Sequence, residues 1–209
     1  MQFRLTYEGI LLGASRDHKR ADHKHEIRMK FHPQLKRQWA VHQWLVQLSG
    51  LKYPNHATAI SGQQLTNPAW AMHPTYMDHL GDNYQSHNRK WAPLIGEDMG
   101  LTCAVDILFL RPGARGGVLN VGDIDGRLKT LFDALAIPKS GSGLPGAEAE
   151  QPIHVLLSDD RHISHASVET DELLEPTAPG IGLNDSRVII TVNIKPLRAN
   201  FLTVGFSSL

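Results

Sequence analysis

The chain has 209 residues, which is enough to bury one good core and too few for two ordinary domains. Its 21 Lys and Arg residues balance 21 Asp and Glu residues, so net charge does not mark the whole chain as a polyanion binder. The basic residues are concentrated at the start, however: residues 1–52 carry ten Lys and Arg against four acids. Such a basic quarter indicates either a phosphate-bearing partner or a solvated charged surface.

Cysteine content and hydropathy exclude two further classes. Cys103 is the only cysteine, so an internal disulfide is impossible, and its apolar neighbours predict a buried thiol. No apolar run approaches the roughly 18 residues that a membrane-spanning helix needs, and the first residues have no signal-peptide pattern. We therefore expect a soluble, cytoplasmic protein that does not associate with membranes.

The amino-terminal elements are predicted from hydrophobic spacing. Alternation of apolar and polar residues in MQFRLTYEGI predicts an opening strand. Residues 13–32 are polar, basic and rich in histidine, which favours an exposed loop that orders on binding. Pro33 suits the first turn of a helix that runs to about Leu48. Residues 50–97 contain four prolines and scattered aromatic residues, and we expect an ordered insertion with short helices.

The second half of the chain is easier to interpret. LTCAVDILFL at 101–110 predicts a central strand, and residues 125–136 form an amphipathic helix pattern. The apolar run IHVLL, a stretch near 163–169 and RVIITVNIK predict three further strands. These elements predict one α+β domain over residues 1–209, in which a mixed sheet is packed by two main helices.

Four carboxylates are placed where elements begin or end. Asp123 and Asp125 precede the helix, whereas Asp159 and Asp160 follow the IHVLL strand. One Asp at a helix start is explained by capping, but a second acid is not. Hard cations such as Mg2+ prefer carboxylate oxygens, and strand ends and helix starts can converge, so these acids are candidate metal ligands. Lys129 lies one turn beyond Asp125, where it could stabilise charge on a phosphate or pair with a neighbouring acid.

At these residues the sequence resembles a known family. The stretches GDIDGRLKTLFDALA, LLSDDRHISHASVE and RVIITVNIK resemble the RusA-like Holliday-junction resolvases, whose pattern is Asp-x-Asp-Asn-x-x-Lys, a helix ending in Asp-Ala-Leu, and a strand running into Asp-Asp. Members are small, dimeric, Mg2+-dependent endonucleases, often of phage or prophage origin, that cut four-way DNA junctions in recombination and repair. The resemblance covers roughly residues 100–196 well and the start of the chain only loosely.

The resemblance implies specific roles. By position, Asp123, Asp125 and Asp160 correspond to the catalytic acids and Lys129 to the catalytic lysine, with Asp159 as a further metal ligand. The implied cofactor is Mg2+, with Mn2+ as a substitute, and the implied partners are branched DNA and a second copy of the chain. Gly126 replaces the family's Asn, and residues 50–97 make this chain longer than the compact resolvases.

The basic quarter supplies candidate DNA contacts. Six residues are predicted to bind phosphates: Arg16, Lys19, Arg20, Lys24, Arg28 and Lys30. Asp106, in the middle of its strand, is expected to be exposed, and the tryptophans are expected to lie mostly in the core. The alternative to a nuclease stays open, namely a non-catalytic nucleic-acid-binding or interaction protein built on the same fold. Divalent-metal binding at the acids distinguishes the two.

Overall fold

The computed structural model describes residues 1–13, 20–51, 75–112, 124–139, 144, 150–174, 185–197 and 203–206. The chain is an α+β protein with mixed sheets, as predicted. The helices are α1 (Ala21–Val41), α2 (Gln43–Ser49), α3 (Tyr76–Asn83) and α4 (Ile124–Leu135). The strands are β1 (Gln2–Ile10), β2 (Gln85–Ser86), β3 (Arg89–Ile95), β4 (Leu101–Arg111), β5 (Ile153–Leu157), β6 (Ile163–Glu172) and β7 (Asp185–Pro196). Short 3-10 turns span Asp160–His162 and Val204–Phe206.

The larger sheet has the strand order β1-β7-β4-β6. β7 pairs antiparallel with both β1 and β4, and β4 pairs parallel with β6. Every second residue of β7 from Ser186 to Ile194 is buried, as the period-two pattern predicted. Leu5 and Tyr7 of β1, together with Val105 of β4, extend the same apolar face. The predicted strands of the second half and the opening strand are confirmed.

A smaller sheet has the order β2-β3-β5 and contains part of the segment predicted as an insertion. β3 runs parallel to β5, with Trp91 opposite Ile153 and Ile95 opposite Leu157. All five residues of β5 are buried, and six of the seven residues of β3 are buried. Residues 89–95 are therefore a core element rather than an appendage. The remainder of the predicted insertion, at 52–74, lies outside the described residues.

Helix α1 corrects the prediction of a loop over residues 13–32. It begins at Ala21 and continues through Pro33, which lies inside the helix rather than at its first turn. Pro33 has no N–H to donate to the preceding turn, so the helix tolerates one missing hydrogen bond there. Four apolar residues at spacings of four form its buried stripe: Ile27, Phe31, Leu35 and Trp39. The prediction was wrong because the polar residues between them were assumed to be exposed.

The two longest helices pack together against the strands. α1 contacts both α4 and β5, and the buried side of α4 includes Leu131, Ala134 and Leu135. Cys103 is fully buried, as expected, and burial raises the pKa of its thiol to about 12. Within the described part of the chain, no helix combines the length and apolar character required to cross a bilayer.

Candidate functional site

The end of β5 places two predicted acids in a constrained turn. The backbone N–H of Ser158 donates to the carbonyl of Ile95 at 2.9 Å, which fixes the last residue before the acids. Asp159 then caps the 3-10 turn by accepting the N–H of Arg161 at 3.0 Å. On the other side, Thr102 Oγ1 of β4 donates to the carbonyl of His162 at 2.6 Å. The turn that carries Asp159 and Asp160 is thus held by both sheets.

Lys139 bridges these two acids. Its Nζ lies 2.7 Å from Asp160 Oδ1 and 3.1 Å from Asp159 Oδ2. The backbone positions it, because the N–H of Ile137 donates to the carbonyl of Leu157 at 3.1 Å, beside the end of β5. No sequence motif points to Lys139. Asp159 lies twenty positions further along the chain, beyond a segment rich in Gly, Pro and Ser and beyond strand β5.

Charge and hydrogen bonding shift the protonation equilibria of this group. The N–H of Arg161 lowers the pKa of Asp159, and the Lys139 ammonium contributes in the same direction. Hydrogen bonds to Asp160 and then Asp159 raise the pKa of Lys139 above its usual value. Lys139 is 59% exposed and Asp160 is 44% exposed, so solvent screens the pair and an incoming cation can reach the carboxylates.

Helix α4 carries the other predicted residues. Asp125 lies in its first turn and Lys129 follows one turn later, and both side chains are exposed. The helix is oriented by burial of its opposite side, where Arg127 is only 5% exposed and its guanidinium lies over the Phe109 ring at 5.9 Å. Burial lowers the pKa of Arg127, and Arg111 adds to the effect. α4 as an element packs against the 3-10 turn that begins at Asp160.

Only three of the four predicted metal ligands lie within the described residues. Asp123 lies outside the described residues. Within the residues that are described, no three His, Cys, Asp or Glu side chains form a group arranged to hold a metal ion. Asp159 and Asp160 nevertheless match the preference of Mg2+, which is commonly held by one or two carboxylates and completed by water.

Three of the predicted DNA contacts are instead engaged within the protein. Arg28 is only 2% exposed and donates to the carbonyls of Ala136 at 3.0 Å and Asp133 at 2.7 Å, so its assignment as a phosphate contact is wrong. Lys24 Nζ lies 2.6 Å from Asp133 Oδ2. Lys30 donates to the carbonyl of Glu8 at 2.6 Å.

The other members of the basic segment differ in status. Arg20 is partly exposed at the start of α1, whereas Arg16 and Lys19 lie outside the described residues. Helix α1 explains the correction for Arg28, because it turns this side chain towards α4. Lys24 and Lys30 each make one internal contact and remain accessible to solvent, so their assignment as phosphate contacts stays a prediction.

Two further sequence predictions concern Asp106 and the tryptophans. Asp106 is exposed, as expected, and accepts hydrogen bonds from Ser167 at 2.5 Å and from Asn193 at 3.3 Å. Trp39 and Trp91 are buried in the core, which confirms the prediction for these two tryptophans.

Comparison with known proteins does not assign the chain to a family. No family model matches the sequence, no curated protein matches it, and no solved structure matches its fold. The fold and the site define an α+β protein in which two adjacent aspartates of a 3-10 turn pair with one lysine.

Proposed function

We propose that this protein is a metal-dependent endodeoxyribonuclease that cuts branched DNA, as its resemblance to RusA-like resolvases implies. The observation that carries the proposal is the packing of α4 against the 3-10 turn. The helix that carries Asp125 and Lys129 thus contacts the turn that contains Asp160, although about thirty residues separate the two motifs in sequence. In the proposed enzyme the first turn of α4 faces this turn, so that acids from both elements share one divalent cation, as a hydrolytic metal site requires.

The donor chemistry of the turn supports a hard divalent cation. Asp159 and Asp160 already bind a positive group, the Lys139 ammonium, and offer only oxygen ligands. Bound there, Mg2+ or Mn2+ would polarise a phosphodiester and lower the pKa of a coordinated water. Asp125 and Asp123 would complete the ligand set from the helix side. Lys129 would stabilise negative charge that develops on the phosphate.

The substrate and the assembly follow from the same resemblance. A four-way junction has two equivalent strands to cut, and a homodimer with twofold symmetry offers two equivalent sites. We propose such a homodimer acting on branched DNA in the cytoplasm.

A non-catalytic nucleic-acid-binding or interaction protein is the second candidate. It is favoured by the Lys139 pair together with the lack of a three-ligand group among the described side chains. In such a protein the acids would serve only to anchor Lys139 and the 3-10 turn.

A cleavage and binding experiment separates the two candidates. A labelled four-way junction is incubated with the protein in Mg2+, and binding is measured in parallel in Ca2+. Asp160→Asn should leave binding unchanged and reduce cleavage by orders of magnitude, because it removes a ligand while keeping the side-chain shape. Asp82→Asn, at an exposed aspartate paired with Lys90, is the matched control and should cut normally. Binding by the wild type without metal-dependent cleavage would establish the second candidate instead.

A further inference from the structure

β6 is a long strand with one bare edge. It pairs with β4 on one side, and no strand in the described part of the chain pairs with its other side. Every residue from Ser164 to Thr170 is exposed. The backbone groups that face away from β4 on such an edge form a template for another strand, and proteins usually cover or interrupt such an edge.

The face of β6 that continues the core is exposed as well. In the register with β4, Ala166 lies beside Val105, and Val168 lies beside Ile107. Both β4 residues are buried. Val168 lies on the same face of the sheet, yet it remains 36% exposed. The apolar face of the sheet therefore extends beyond the elements that cover it. A partner on this edge would bury apolar area as well as complete a hydrogen-bond ladder.

We propose that β6 pairs antiparallel with β6 of a second copy, in the register that sets Val168 opposite the partner's Val168. The twofold axis would pass through this valine pair and stand perpendicular to the sheet. Two four-stranded sheets would then form one continuous sheet of eight strands, which is within the usual size of open sheets. This interface deepens the homodimer in the proposed function, but it depends on β6 alone and not on cleavage.

The placement of the acids along β6 favours a second copy as the occupant. All three acids of the strand, Glu169, Asp171 and Glu172, lie in its second half. In the antiparallel register each of them lies opposite a residue of the partner's first half, namely Ser167, His165 or Ser164, which can accept their charge without repulsion. A parallel pairing in register would instead set each acid against its own copy. The acids of β6 therefore favour antiparallel over parallel pairing with a second copy.

The geometry also relates the interface to the acidic turn. Asp159 and Asp160 come just before β6, so the two turns would lie beyond opposite ends of the shared ladder. Ser164 and the partner's Ser164 would be separated by eight residues of strand, or about 26 Å at about 3.3 Å per residue. The two acidic turns would then be joined by one continuous sheet, an arrangement that suits a single substrate engaging two sites.

Disulfide formation tests the register directly. Val168→Cys should give a covalent dimer under mild oxidation, because directly opposite residues have Cβ atoms about 5 Å apart. Ala166→Cys is the matched control, since this residue would face Thr170 rather than itself, and it should cross-link at least tenfold more slowly. A mixture of Ala166→Cys and Thr170→Cys should restore cross-linking. Cys103 does not interfere, because its thiol is buried.

Solution mass provides the second measurement. Light scattering at micromolar concentration should give a dimer for the wild type and a monomer for Val168→Lys, which sets two ammonium groups opposite each other. Thermal unfolding of the Val168→Lys monomer should remain cooperative, because residue 168 is exposed in the isolated chain and its substitution does not disturb the core. A monomeric wild type, or a dimer in which Val168→Cys and Ala166→Cys cross-link equally, would overturn the proposal. Neither readout involves DNA cleavage, so these results are independent of whether the protein is a nuclease.

Discussion

The ammonium nitrogen of Lys139 lies 2.7 Å from a carboxylate oxygen of Asp160, in a turn that the proposed function assigns to a divalent cation. Each carboxylate has several acceptor lone pairs, so hydrogen bonding to Lys139 leaves sites on both acids for a cation. The charge of Lys139 would nevertheless oppose the binding of a cation there, so the two positive groups compete electrostatically.

The first prediction concerns this competition. Lys139→Met should raise the affinity of the protein for Mn2+ about thirtyfold, because the repulsion between one positive charge and a divalent cation at about 4 Å in a solvated site is about 2 kcal/mol. Electron paramagnetic resonance of free Mn2+ during a titration measures the affinity without any substrate. Lys90→Met, which disrupts an exposed pair with Asp82, is the control and should not change it. Unchanged affinity in Lys139→Met would mean that Asp159 and Asp160 are not metal ligands.

The second prediction concerns Lys129, which is exposed one turn beyond Asp125. If its charge acts on the transition state, Lys129→Ala should reduce single-turnover cleavage of a junction by about a hundredfold, or about 3 kcal/mol. Junction affinity measured in Ca2+ should change by less than threefold. An equal loss of affinity and rate would reassign Lys129 to substrate binding.

The third prediction follows from the burial of Arg28. Arg28→Met should lower the free energy of unfolding by on the order of 3 kcal/mol, since it leaves two buried carbonyl acceptors without a charged donor. Urea unfolding measures the change, and the m-value should stay constant. Arg37→Met is the matched control, because Arg37 is exposed on the same helix and its loss should cost less than about 0.5 kcal/mol. An equal effect of both substitutions would contradict the structural role of Arg28.

Local pattern predicted much of the fold and little of α1. Strands β1 and β7 and helix α4 follow hydrophobic periods in the sequence, and apolar composition marked β4 and β5, so a window of about ten residues was sufficient for them. Strand β3 was not predicted, because its segment was expected to form short helices. In α1, Arg28 and His32 are buried between the apolar positions, and they bond to residues far away in sequence. Arg28, for example, bonds to carbonyls more than a hundred residues further along the chain. Composition alone marks such a segment as exposed, because hydropathy does not record tertiary hydrogen bonds.

In the candidate site, too, the residues that belong to a local sequence pattern were predicted, and the residue placed by a long-range contact was not. Asp125 and Lys129 lie at the helix start that the motif predicted, and Asp159 and Asp160 lie at the predicted strand end. Lys139 was missed because its pairing with these acids depends on the bridge between Ala136 and Leu157. A long-range contact of this kind has no period or motif in the sequence.

The last prediction concerns two buried histidines that pack together. The rings of His32 and His154 are 5.4 Å apart, and the backbone N–H of His154 donates to His32 Nδ1 at 2.9 Å. Burial lowers the pKa of His154 to about 4, and repulsion by the nearby Lys36 ammonium contributes. Its side chain is therefore neutral in the folded protein at pH 5 but mostly protonated in the unfolded chain.

This difference fixes the sign of the pH dependence. Between about pH 6.5 and pH 4 the unfolded state binds the additional proton, so stability should fall as the pH is lowered through this window. The contribution of His154 to the loss is about 3 kcal/mol, at about 1.4 kcal/mol for each pKa unit. Urea unfolding at half-unit steps from pH 7 to pH 4 measures it.

A neutral substitution isolates His154 from the other groups. His154→Gln should flatten the pH dependence over this range, while a residual slope remains because burial also lowers the pKa of His23, His42 and His162. Gln43→Ala, at an exposed position with no titratable side chain, is the control and should keep the wild-type slope. If His154→Gln and the wild type lose stability in parallel, His154 is protonated in the folded state as readily as in the unfolded chain. The packing against His32 would then have no influence on the acid sensitivity of the protein.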